Sequence, residues 1–161
     1  MPNTKCLVDI ALLVGLIASA FSTVARGDDT ILIENLLWAS ASNGENIQWP
    51  EAVAYCEDLS LAGHDDWRLP TFDELAGLHD SESSEGIRPP FLIGDCCLWS
   101  GESLEDRPAR DGDEIAGRPA MYHWGFMFDG GLPYYAVHIF DDGRALCTRD
   151  AEADADPGDY Q

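Results

Sequence analysis

The chain has 161 residues and a formal charge of −21, from 30 acidic side chains against 9 basic ones. That length favours one domain, and 45% hydrophobic with 10% aromatic residues suits a packed core over a disordered chain. The charge argues against nucleic acid, anionic lipid and sulfated polysaccharide as partners, and leaves proteins, cations and uncharged ligands.

Lys5, the 12-residue run from Ile10 to Phe21 and the small residues Ala25 and Gly27 read as a cleaved export signal over residues 1–27. A membrane-spanning helix needs about 18–20 apolar residues, so the run is too short to be one. Loss of Lys5, Asp9 and Arg26 takes the charge to −22 and leaves no lysine. The expected location is therefore extracellular or periplasmic, where the remaining Cys56, Cys96, Cys97 and Cys147 can form disulfides in any of three pairings. No C-x-x-C or H-x-x-x-H spacing supports a structural zinc site.

The folded domain is expected over 28–150. "ILIENLLW", Ile31 to Trp38, is apolar enough for a first strand, and "ASASNGEN" after it has turn chemistry. In "WPEAVAYCEDLSL" Pro50 and Glu51 suit a first helical turn, and Ala52, Val53, Cys56 and Leu59 recur at helical spacing. Gly63 ends that element or lies just beyond it. Thr71-Phe72-Asp73-Glu74 is a T-x-x-E capping box opening a second helix, with Phe72, Leu75 and Leu78 as its buried stripe. Before it, Pro70 holds Leu69 extended, and Trp67 and Leu69 point together into the core. Arg68 points the other way, to pair with a carboxylate or a carbonyl.

Ser81 to Pro90 reads as loop, "CLWSGES" as a short strand, and Ser103 to Pro119 as a long polar connection. Then Tyr122, Trp124, Phe126 and Phe128 alternate, "DGG" turns the chain, and Tyr135, Val137 and Ile139 alternate again. Asp142-Gly143 is expected to make a hairpin into "RALCTR", and residues 151–161 a disordered acidic tail.

Trp49, Ala52, Cys56, Trp67-Arg68-Leu69-Pro70-Thr71, Glu74-Leu75 and Trp99-Ser100, closing on "ALCTR", together resemble the Lcl C-terminal domain family, named for the Legionella collagen-like adhesin. The similarity runs from about Leu36 to Arg149. It implies an α+β, C-type-lectin-like fold, two helices flanking a twisted antiparallel sheet. It also implies a disulfide from the first helix to the last strand, Cys56 to Cys147, with Cys96 and Cys97 left as a second thiol pair of open redox state. Leu146 stands where the family text carries an arginine directly before the cysteine.

The resemblance implies an exported, non-catalytic binding or adhesion module. Family adhesins are associated with polyanionic glycans, which a charge of −22 repels, so a protein, a cation or a neutral glycan is the expected partner. Trp99, Tyr122, Trp124, Tyr134 and Tyr135 form the candidate ligand surface, although strand aromatics more often serve the core. No cofactor is expected. Calcium is a minority option at "DGDE", Asp111 to Glu114, or "FDDG", Phe140 to Gly143, neither of which is an EF-hand loop. The "RLPT" text also resembles the formylglycine-generating enzymes, copper oxidases in which Cys96 and Cys97 would be the thiols, but their Arg-Gly-Gly-Ser-Trp block is missing. His64, His79, His123 and His138 are scattered outside any hydrolase or metalloprotease motif, which argues against an enzyme. A structural exported protein without a ligand is the remaining alternative.

Overall fold

Successive side chains on a strand point to opposite faces, and in this chain the two faces bury different clusters. Trp38, Leu98 and Leu146 belong to one, and their neighbours Ala39, Trp99 and Cys147 to the other. The computed structural model describes residues 29–94, 97–110, 115 and 117–151. The expected signal at 1–27, Cys96, the "DGDE" loop and all but the first residue of the expected tail lie outside the described residues.

The elements in chain order are β1 (Thr30–Ile33), β2 (Leu36–Ala39), α1 (Trp49–Glu57), α2 (Phe72–Gly77), β3 (Cys97–Ser103), a short 3-10 turn (Pro119–Met121), β4 (Tyr122–Met127), β5 (Leu132–Val137) and β6 (Thr148–Asp150). The fold is α+β. Its strands form two antiparallel three-stranded sheets, β1-β2-β6 and β3-β4-β5, in place of the single sheet expected. The segment 143–147 explains the division. It touches β3 through a parallel bridge, Leu98 to Arg144, and touches the loop before α1 through Ile47 to Gly143. Leu146 fills one cluster while Ala145 and Cys147 fill the other, so this segment packs between the sheets without joining them into one.

Two expected strands need correction for related reasons. Ile31 to Trp38 is a hairpin, not one strand: Glu34 takes a left-handed φ of 55°, and Ile31 pairs with Trp38. Folding the run back lets Ile31, Ile33 and Leu36 all pack against the cluster that contains Trp38. Asp142-Gly143 closes no hairpin, because the last strand leaves its sequence neighbour β5 and pairs with β2, Leu37 opposite Arg149.

Each helix covers one cluster. On α1, Pro50 occupies the first turn, the Gln48 N–H donates to Glu51 Oε2 at 3.0 Å, and Ala52 and Cys56 are buried in the Trp99 cluster. On α2, the Glu74 N–H donates to Thr71 Oγ1 at 3.2 Å, the Thr71 N–H donates to Glu74 Oε2 at 2.7 Å, and Leu75 and the following Leu78 enter the Leu98 cluster. Between the helices, Trp67 and Leu69 enter the Trp99 cluster, while Arg68 turns outward onto Glu74 with bonds of 2.8 and 2.9 Å. Cys56 and Cys147 are joined by a disulfide that ties α1 to the chain just before β6. Among the described residues no helix is long and apolar enough to cross a membrane.

Candidate functional site

The β4–β5 pair carries most of the candidate ligand residues, and its register sorts them. Trp124 lies opposite Tyr135, and Gly125 opposite Tyr134. Trp124 and Tyr135 share a face, their rings edge to face at 5.2 Å, and Tyr122 meets Tyr135 edge to face at 6.1 Å. Tyr134 turns to the other face and packs on Trp99 at 5.7 Å.

That second face is core. Trp99 is fully buried, and its indole N–H donates to the Ile47 carbonyl at 2.9 Å, so it presents no surface to a ligand. The Tyr134 ring occupies the space over Gly125, where any side chain would collide with it, and its hydroxyl reaches Gly143. Burial, with Asp142 nearby, pushes the Tyr134 phenol far above its ordinary range and keeps it neutral. Of the five aromatics, Tyr134, Tyr135 and the largely buried Trp124, 8% exposed, line a hollow, whereas Trp99 and Tyr122 line neither of the two that meet around Trp124.

Two hollows meet around Trp124. One, of about 290 Å³, is lined by Tyr134, Tyr135, Leu132, Pro133, Met127 and Arg110 along with Trp124. The other, of about 200 Å³, adds Phe72, Arg107 and Pro108, and shares Trp124, Pro133 and Arg110 with the first. The Trp124 indole N–H donates to the Arg107 carbonyl at 2.7 Å, which fixes the ring that both hollows share. Arg107 is itself occupied: its guanidinium pairs with Asp73 and Glu102 and lies 4.9 Å over the Phe72 ring. Arg110 is exposed, and among the described residues no ion pair holds its side chain. It is therefore the free donor at the rim of an otherwise apolar, aromatic groove.

Arg107, Arg110, Phe72 and Pro133 were missed as site residues. A sequence signal existed in "DRPAR", two arginines flanking a proline in an acid-dominated loop, but nothing local says that this loop returns to β4. The signature residues Trp67 to Glu74 lie away from the two hollows, apart from Phe72 and from Asp73, which anchors Arg107. Cys97 is disulfide-bonded. Its expected companion Cys96 is outside the described residues. Asp141 and Asp142 of the "FDDG" turn belong to no group of three or more acids, histidines or cysteines able to hold a metal, among the described residues.

Other charged groups are structural. Arg149, 2% exposed, donates to both oxygens of Asp66 at 2.6 and 3.1 Å and holds that carboxyl below its usual range. The Ser103 backbone and hydroxyl do the same for Asp106.

Fold and site define a disulfide-closed α+β domain bearing an aromatic groove with an arginine at its rim. The model of the Lcl C-terminal domain family matches residues 32–147, most of the chain, and the protein belongs to that family. Among curated proteins none matches it.

Proposed function

We propose that this protein is an exported, non-catalytic binding module of C-type-lectin-like architecture that holds a neutral saccharide in the groove around Trp124 and Tyr135. The observation that carries the reading is an aromatic floor beside Arg110, whose side chain is exposed and has no ion pair among the described residues. Apolar faces of a sugar ring pack on aromatic side chains, and a few placed donors then select its hydroxyls. A groove of about 290 Å³ suits one or two sugar units better than a flat protein partner. The charge of −21 repels sulfated and other polyanionic glycans, which leaves neutral ones. Family membership and the Cys56–Cys147 disulfide support an adhesin-type module in an oxidising compartment, secreted or periplasmic.

The formylglycine-type alternative has less support, because a disulfide-bonded Cys97 offers no thiolate to copper. The test is binding to an array of neutral glycans, with and without calcium. The native protein is expected to bind saturably and sugar-selectively. Tyr135→Ala, which gives up ring contacts with Trp124 and Tyr122, should lower the melting temperature modestly and weaken binding about tenfold or more. Silence across neutral glycans, or undiminished binding by Tyr135→Ala, would remove the saccharide reading in favour of a protein partner.

A further inference from the structure

A second hollow, apart from the aromatic groove, opens between the β1–β2 hairpin and α2 with a volume of about 310 Å³. Ile33, Leu36, Trp38 and Leu78 give it apolar walls, and its charged residues are Glu34, Arg88, Asp73 and Glu74. Asp73 and Glu74 are already neutralised, by Arg107 and Arg68. Glu34 and Arg88 are not, since among the described residues neither side chain has an ion-pair or hydrogen-bond partner. The uncompensated charges of the pocket are one anion and one cation.

One further observation points to a ligand. Trp38 is 1% exposed, forms part of the wall, and its indole N–H is buried without an acceptor. Such a donor is costly, and folded proteins nearly always satisfy it with protein, water or a bound molecule. Glu34, in turn, sits at φ 55°, backbone that glycine or asparagine adopts readily and glutamate does not. That conformation closes the two-residue β1–β2 turn, and the turn places Glu34 in the lining of the hollow.

We propose that this pocket binds a small zwitterion with an apolar body, of the class of a free apolar α-amino acid. Its ammonium meets Glu34, its carboxylate meets Arg88, and its side chain lies on the wall formed by Ile33, Leu36, Trp38 and Leu78. A volume of about 310 Å³ lies at the small end of ligand pockets, which run from about 300 to 1,000 Å³. Net charge sharpens the discrimination: a simple cation is attracted to any part of so acidic a surface, whereas a zwitterion has no net charge and is held by the local pair.

Calorimetric titration of the full chain with L-phenylalanine tests the proposal, beside phenylpropanoate, which lacks the ammonium, and phenylethylamine, which lacks the carboxylate. Saturable one-to-one binding of the amino acid is expected, with each analogue about tenfold weaker or worse. Glu34→Asn should raise the melting temperature of the free protein by relieving the strained backbone, yet weaken the amino acid about tenfold. Arg88→Gln, on an exposed side chain, should weaken it similarly at unchanged melting temperature. Arg110→Gln, in the other groove, should leave amino-acid binding intact, so that failure of the saccharide reading and failure of this one are separate results. No saturable binding of L-phenylalanine at millimolar concentration, equal binding of phenylethylamine, or unchanged binding by Glu34→Asn would overturn the proposal.

Discussion

His123 on β4 is 5% exposed, and its ring lies parallel to that of Trp49 at the start of α1, with centroids 3.5 Å apart at 13°. Its Nδ1 is buried without a hydrogen-bond partner. Burial first, and then His138 with its ring 6.1 Å away, push the His123 pKa down to about 4, against an upward pull from Asp106. An unfolded chain takes up this proton near pH 6.5, so between pH 6.5 and about 4 the unfolded state binds more protons than the folded one. The contribution is present above pH 6.5 and is lost as pH falls through that window, to a ceiling of about 3 kcal/mol. Depressed Asp66, Glu74 and Asp106 act at lower pH, their contributions being lost only as pH falls below the ordinary carboxylate range. His123→Phe keeps a ring against Trp49, removes the unmet nitrogen and cannot titrate. It should flatten the loss of melting temperature between pH 6.5 and 4, and be the more stable protein at pH 5; thermal melts across that range check it. Residues of one chemical type were separable only in part from sequence. Trp99 and Trp124 both sit on short antiparallel strands and both are buried, and what leaves only Trp124 an edge on a hollow is which sheet face meets α1, together with the carbonyl that each indole finds, Ile47 or Arg107.

At the scale of elements, α2 is six residues long and too short to hold itself together, so its first turn depends on side chains. Burial pushes the Glu74 carboxyl up, but the two hydrogen bonds from Arg68 and the one from the Thr71 N–H outweigh it, and the pKa is lowered. Glu74→Gln retains an acceptor for the cap while removing the charge that Arg68 meets, and should cost about 1 kcal/mol, the pair being partly exposed. Thr71→Ala removes the other half of the box and should also cost about 1 kcal/mol. Because the two changes loosen the same helical turn through its two reciprocal bonds, the double variant should lose less than the sum; urea midpoints at constant slope measure all three. This helix start was legible because a capping box is written within four residues, and Pro50 marked α1 for the same reason. The β1–β2 turn was not, since Glu34 carries no preference for the left-handed backbone it adopts. Nor was the partner of β6: Leu37 meets Arg149 across most of the chain, and alternation reveals a strand without naming its neighbour. Half of the candidate groove was legible for that reason, its aromatics on β4 and β5, while Arg107 and Arg110 arrive from a loop whose return path is tertiary.

At the scale of the molecule, Cys56 and Cys147, 91 residues apart, close the chain from the end of α1 to the start of β6 into one loop. Chain-entropy reasoning assigns such a loop a stabilisation of about 4–5 kcal/mol, and removal of native disulfides from small exported domains commonly costs about 2–5 kcal/mol. Hydrogen bonds run beside the bridge: Ala39 N–H donates to the Cys147 carbonyl at 2.9 Å, and Arg68 and Thr148 exchange a pair of backbone bonds at 2.9 Å. They hold the same closure in the folded state, but they vanish on unfolding and so do nothing to restrict the unfolded chain. The bridge alone does both. Replacing both cysteines by alanine removes the link from a fully buried site without adding a polar atom. The double variant should therefore keep its fold and binding surfaces, melt lower by about 10 °C or more, and unfold with a steeper urea dependence, because its unfolded state expands further. An unchanged slope with a lowered midpoint would assign the loss to packing around the two sulfurs, and an unchanged midpoint would assign the closure to the backbone bonds beside them.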